Sequence, residues 1–392
     1  TTAGTSNVRF GVNAGNSIQS GGNYNVAVGD EAGTAINTGD ENTVVGYKAG
    51  EAVTTGVRNT LIGATAGDEI VGGERNTAVG YGALHSETEG DRNTAVGVFA
   101  LSTQNTSTGG NVYNTGIGYG AGNAITTGVR NVIVGAQALD AETQGSRSVA
   151  VGYATLSAQN FTTATDVYNT AVGHAAGLSV TTGTLNTLIG GLAGDALTTG
   201  FNNVAVGTSA LSAEDTGRYN VAIGKGALAV QNNDVDNYNV AVGYEAGNSV
   251  TTGVENTLIG SLAGDALTDA DFNIAIGWGA LGADTKGNKS VAIGTGALDA
   301  QNFTTSTDTH NTAVGHGAGG AVTTGTKNNF IGSLSGDAIT EGSQNVALGT
   351  ETLSSDTLGS RSVAIGQGAL FAQNFTTATN AFNTAVGYEA GV

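Results

Sequence analysis

The sequence predicts an all-β chain, a parallel β-solenoid of about 22 coils with about 17 residues in each. Three observations predict it. The pentapeptide Asn-Thr-Ala-Val-Gly, or a near copy, returns along the whole chain with closing glycines at Gly11, Gly29, Gly46, Gly63, Gly80 and Gly97, and so on to Gly387. A second glycine falls ten residues past most of these markers, as at Gly56, Gly73, Gly128, Gly183, Gly253 and Gly325. Proline is absent from all 392 residues, as expected where both edges of every interior strand need their N–H donors.

Each element follows from its residues. A β-branched residue precedes nearly every marker glycine (Val28, Ile62, Val96, Ile189, Ile293) between Asn and Gly, which is a short strand between turns. A seventeen-residue unit has room for two short strands and two turns at about 3.3 Å of rise per residue, and glycine supplies the positive φ those turns need. Units of this size stack so that identical positions form columns. The first pentapeptide position is Asn in nineteen copies and Ser in three (Ser148, Ser290, Ser362), the pattern of an amide ladder. Twenty-one steps of about 4.8 Å give a rod about 100 Å long.

A higher order is superposed on the coil. Spacings run seventeen three times and then about twenty-one, and the residues after the marker alternate two Ala-Gly coils with two Ala-Leu or Thr-Leu coils. The whole chain, 1–392, therefore reads as one solenoid domain with four-coil super-repeats at approximately 46–118, 118–173 (shortened), 173–243, 243–315 and 315–387. Each long coil opens on Gln-Asn and carries an insert: Gln104 to Asn114, Gln159 to Asn169, Gln231 to Asn239, Gln301 to Asn311 and Gln373 to Asn383. Insertions in a solenoid go outward on one face, often the binding face. Their aromatic residues Tyr113, Phe161, Tyr168, Tyr238, Phe303, His310, Phe375 and Phe382 are the candidate receptor contacts.

Alternation sends pentapeptide positions two and four to one face and position three to the other, and both faces are apolar. One buried face suffices for a single-layer solenoid, so a second cover is expected. The expected cover is another copy of the chain, with small alanines at position three allowing close approach and Leu61, Leu188, Leu258, Ile133 and Phe330 too large to be left exposed. This predicts a homo-oligomer about the rod axis, a trimer.

Composition narrows the function. Gly is 65 of 392 residues with no three-residue period, which excludes collagen, and charged residues are too few for a disordered acidic tail. Without cysteine there is no disulfide framework, thiol nucleophile or thiolate metal site. A net charge of −19 repels phosphate backbones, so nucleic acid is not expected as a partner. Apolar runs fall far below the roughly 20 residues that span a bilayer, and no charged-then-apolar leader stands at Thr1, so membrane insertion is not expected. The start without methionine predicts a processed or excised piece of something longer.

Chemical motifs mostly dissolve into the repeat. Gly315, Gly317 and Gly320 satisfy G-x-G-x-x-G, but no helix follows to meet a phosphate. Asp68, Asp195, Asp265 and Asp337 recur at one place in successive super-repeats and read as solvated turns or Asx caps, with calcium binding as the alternative. The four histidines (His85, His174, His310, His316) lack metal-ligand spacing. An aromatic column just past the marker (Tyr47, Tyr81, Tyr119, Tyr153, Tyr244, Trp278, Tyr388, with His174 and His316) either stacks on sugars or packs at a coil corner or chain interface. Asn160, Asn302 and Asn374 head Asn-Phe-Thr sequons, which mean little outside a eukaryotic secretory context. No catalytic residue, cofactor or metal is expected.

Ser148 to Gly152 (SVAVG), and Ser290 to Gly294 and Ser362 to Gly366 (SVAIG), resemble the head repeats of YadA-like trimeric autotransporter adhesins; the other nineteen copies are variants with Asn first. The resemblance implies a left-handed parallel β-roll built as a trimer. The coils here are longer than that family's usual repeat, and heptad stalk, neck and anchor barrel are missing from this sequence. The Asn-Thr-Ala-Val-Gly style followed by Gly-Tyr-x-Ala-Gly also resembles tailed-bacteriophage fibre proteins with the same type of β-roll repeat. The expected function is a non-enzymatic structural fibre or adhesin rod on the virion surface, extracellular, mediating or spacing attachment to a host cell-surface glycan or protein. The alternatives are a bacterial trimeric autotransporter-type adhesin, a glycan-degrading tailspike, and an ice-binding solenoid suggested by Thr54-Thr55, Thr126-Thr127, Thr181-Thr182, Thr251-Thr252 and Thr323-Thr324.

Overall fold

The computed structural model describes residues 4–392 and divides them between two compact units, Thr1–Thr199 and Gly200–Val392. Each unit is a parallel β-solenoid. In the first, eleven three-residue strands stack as rungs from Val8–Phe10 and Val26–Val28 to Thr170–Val172 and Thr187–Ile189. In the second, eleven more run from Val204–Val206 and Val221–Ile223 to Val363–Ile365 and Thr384–Val386. Rungs pair in register, so each pentapeptide position forms a column: Val26 lies against Thr43, Ala27 against Val44 and Val28 against Val45. Ten steps of about 4.8 Å give each unit roughly 50 Å of stacked coil.

The asparagine column holds these rungs together. The backbone N–H of Asn42 donates to Asn25 Oδ1 at 2.9 Å, and Asn42 Nδ2 donates to the Gly56 carbonyl at 2.8 Å. Asn59 repeats both bonds one coil on, to Asn42 Oδ1 at 2.9 Å and to the Gly73 carbonyl at 2.8 Å. These amides are buried, so each ladder step satisfies donors that would otherwise cost roughly 1–3 kcal/mol apiece.

The assignment of faces differs from the sequence expectation. In every rung but Val8–Phe10 the middle residue, pentapeptide position three, is buried, while positions two and four face outward. Leu61, Leu188, Leu258, Ile133 and Phe330 are all 0% exposed and fill the core of their own chain; none is a surface for a sister subunit. The reason is the narrowness of the coil. A seventeen-residue turn encloses little more than one alanine column and one large aliphatic per coil, so the small position faces inward.

The Ala-Gly and Ala-Leu alternation has the same origin. Ala-Gly coils supply their large aliphatic seven residues past the marker (Ile36, Val53, Ile70, Ile125), whereas Ala-Leu coils supply it four past (Leu84, Leu101, Leu139), and all are fully buried. Glycine at that fourth position leaves the space: a Cβ on Gly50 would meet Leu61 Cδ1 and Val44 Cγ1 at 2.8 Å. Leucine there adopts φ near +50°, at 51° for Leu84 and 49° for Leu101, a conformation costing about 1 kcal/mol or more that core burial offsets.

The inserts are tied down. Two-residue ladders pair four of the five with the preceding coil, Gly90–Asp91 with Gly110–Asn111, Gly145–Ser146 with Thr165–Asp166, Gly287–Asn288 with Thr307–Asp308, and Gly359–Ser360 with Thr379–Asn380. In the shorter insert at 231–239 a single bridge, Arg218 to Asp236, takes their place.

Candidate functional site

A buried carboxylate positions every insert. Seventeen residues before each insert glutamine stands an acid three residues ahead of a turn glycine: Glu87, Glu142, Glu214, Asp284 and Asp356, all 0% exposed. Glu142 shows the arrangement in full. Its Oε1 accepts the backbone N–H groups of Thr143 (2.8 Å), Gln144 (3.1 Å), Gly145 (2.7 Å) and Phe161 (3.0 Å), and its Oε2 accepts Gln159 Nε2 at 2.8 Å. Gln159 Oε1 in turn accepts Asn169 Nδ2 at 2.8 Å, which joins the insert to the asparagine ladder. The same acid–Gln–Asn relay runs through Glu87, Gln104 and Asn114 and through Asp284, Gln301 and Asn311. Where the rung begins with serine, the hydroxyl of Ser148, Ser290 or Ser362 accepts a further bond from that glutamine. Among the described residues no basic side chain pairs with these acids, so converging N–H dipoles hold the charge. Burial pushes the Glu214 carboxyl above its ordinary value of 4.5.

The relay decides where the predicted contact residues lie. Phe161 and Phe303 are only 8% and 7% exposed, because the carboxylate draws their backbone N–H groups inward. Phe375 is half-buried. Tyr113, Tyr168, Tyr238, His310 and Phe382 are exposed, and all five hold the same coil position, the residue immediately before the pentapeptide, in left-handed backbone conformation.

The same position also carries Arg58, Arg75, Arg92, Arg130, Arg147, Lys289, Lys327 and Arg361, eight of the chain's 13 basic residues. Neighbours in it already engage one another. Arg92, Arg147 and Arg361 lie over the rings of Tyr113, Tyr168 and Phe382 at 5.7, 5.5 and 5.4 Å, while Tyr238 stacks on Tyr219 at 5.0 Å. Within each unit most of these aromatics therefore pair with a neighbour at the same edge of the sheet, where basic residues are gathered.

The opposite edge bears the aromatic column past the marker, and it is exposed: Tyr47 54%, Tyr119 60%, Trp278 59%. Tyr153 stacks on His174 at 5.6 Å and Tyr81 meets Phe99 edge-on at 5.2 Å. Between the edges runs the outer sheet face of valine, isoleucine and threonine, with Ile62 and Ile117 in one unit and Ile259 and Ile331 in the other left 37–41% exposed.

The recurring aspartates are half-buried. Burial pushes the carboxyls of Asp68, Asp195, Asp265 and Asp337 above their ordinary value of 3.8, and His85 one coil on pairs with Asp68. Among the described residues no three His, Cys, Asp or Glu side chains converge as metal ligands would, and no helix is long and apolar enough to cross a membrane. The hydroxyls of Thr54, Thr126, Thr181, Thr251 and Thr323 donate to carbonyls of the next coil, which takes the first residue of each threonine pair out of any free array.

No family model matches the chain, and no curated protein matches it.

Proposed function

We propose that this chain is a non-enzymatic structural fibre or adhesin rod carried on the surface of a virion, a left-handed β-roll assembled as a homotrimer, which spaces or mediates attachment to the host cell surface. The observation that carries the reading is the outer sheet face. Half-exposed valine and isoleucine recur at the outward positions of rung after rung, which is the composition of the apolar centre of a protein interface. Sister copies of the chain supply a cover of matching length, since in-register stacking repeats the same face at every rung. Several copies on one axis would also multiply weak contacts with a repetitive cell envelope. The Ser-Val-Ala-Val-Gly type rungs at 148–152, 290–294 and 362–366 support the same reading by their resemblance to trimeric adhesin heads.

Immunogold labelling with an antibody to this chain tests it. Label on fibres projecting from virus particles is the expected result. Label confined to a bacterial surface, or to the cell interior, would overturn the virion assignment.

A further inference from the structure

The first unit carries a comb of rings. Tyr47, Tyr81, Tyr119 and Tyr153 fall on every second rung, with the small or slender Ala64, Val98 and Ala136 on the rungs between. Two rung steps make the pitch about 9.6 Å. Three of the four rings have neighbours, Lys48 over Tyr47, Phe99 against Tyr81 and His174 on Tyr153. Among the described residues no ring stacks on Tyr119 and no cation lies over it, and it is the most exposed of the four at 60%.

Tyr119 also lines a depression of about 180 Å³ with Phe99, Gly120, Asn123, Gln137 and Asp140. A second depression of about 350 Å³ shares Gln137 and Asp140 and continues along the coils to Ala154 and Ser157. At Gly120 an added Cβ would meet nothing within 4 Å, so the depression is open there. The polar groups have unused capacity. Asn123 spends its Oδ1 on the Ser102 hydroxyl, which leaves Nδ2 to donate. Among the described residues no side-chain hydrogen bond or ion pair engages the half-buried Asp140 carboxylate.

We propose that this groove binds an extended, neutral β-1,4-linked polysaccharide lying parallel to the stacking axis. In such a chain successive pyranose rings turn over, so the same face recurs once per disaccharide, a repeat close to the pitch of the comb. The C–H face of one sugar sits on Tyr119, Asn123 and Gln137 meet its hydroxyl or acetamido groups, and Asp140 accepts from a hydroxyl. A net charge of −19 selects against polyanionic glycans. The inference rests on the attachment reading above and supplies its ligand class.

Titration calorimetry with cellohexaose, chitohexaose and the α-linked maltohexaose tests it. Binding of cellohexaose or chitohexaose but not maltohexaose is expected, and the preferred hexamer identifies whether the natural glycan carries hydroxyl or acetamido groups. Tyr119→Ala should weaken that binding about tenfold. Asp140→Ala should weaken it as well. Circular dichroism of both variants should be unchanged, since Tyr119 lies outside the core. Failure of both β-linked hexamers to bind, or a Tyr119→Ala variant that binds like the parent, would overturn the proposal. A chain that still coats host cells while ignoring the hexamers would sink the glycan groove and leave the fibre reading standing. One that binds the hexamers but is found away from virions would do the reverse.

Discussion

Exchanging the donor and acceptor ends of one insert relay gives a sharp test of how the inserts are held. In Glu142→Gln the new amide must turn either its oxygen or its NH₂ toward the four backbone N–H groups of residues 143, 144, 145 and 161. If the oxygen keeps them, NH₂ faces Gln159 Nε2, donor against donor in a site closed to water. One bond is lost and a buried donor is stranded, at roughly 1–3 kcal/mol. The four remaining bonds lose their charge assistance as well. The expected cost is about 3 kcal/mol, felt locally because each coil of a solenoid contacts only its neighbours. Native-state hydrogen exchange reads this directly, as a fall of about a hundredfold in protection at the Gly145 and Phe161 amides. The double variant Glu142→Gln with Gln159→Glu restores complementarity. The amide introduced at position 142 then donates to the carboxylate introduced at position 159, which still accepts from Asn169 Nδ2 and gains the Ser148 hydroxyl as a donor. At least half of the lost protection should return. Unchanged exchange in the single variant, or no recovery in the double, would refute the relay as the element that fixes the insert.

Three other outcomes follow from the same structure. Gly135→Ala would drive a methyl group into the Gly152 carbonyl oxygen at φ +137°, and should cost at least about 3 kcal/mol, read as early proteolytic cleavage near residues 130–155. Phe330→Ala empties the largest fully buried side chain of the second unit and should lower stability by about 3–5 kcal/mol in urea unfolding; a loss under about 1 kcal/mol would contradict the core assignment. Burial raises the carboxyls of Asp68, Asp140, Asp195, Asp265, Asp337 and Glu214, so each binds its proton more tightly folded than unfolded. Their contribution is fully present below the ordinary carboxylate values and is lost as pH rises through the raised ones. The urea midpoint should therefore gain this contribution as pH falls through the raised values toward the ordinary carboxylate range near about 4, and a midpoint that fails to rise relative to the Asn or Gln variants of these carboxyls over that range would contradict the shifts.

The stacked coil was legible in the sequence because a repeat prints its columns in the text: the Asn ladder, the marker glycines and the inserts all stand where their spacing put them. The inside and outside of the strand were not legible. Alternation separates Ala27 from Val26 and Val28, but only the width of the closed coil decides that alanine turns inward and valine outward. The acid relay was missed for a different reason. Glu87, Glu142, Glu214, Asp284 and Asp356 look like ordinary turn acids, yet each stands seventeen residues before an insert glutamine, and that fixed offset was available as a signal. The same offset would have separated Phe161 and Phe303, drawn inward, from Tyr113 and Tyr168 on the surface. The gathering of basic residues just before the pentapeptide is invisible to a count along the chain and emerges only when each coil is aligned on its marker glycine.

The central claim is that the apolar outer face of the sheet is covered by sister chains. Light scattering on the purified protein during size-exclusion chromatography measures this most directly. The account predicts a particle of three times the 38.5 kDa chain mass that persists on dilution, and a single 38.5 kDa species would contradict it.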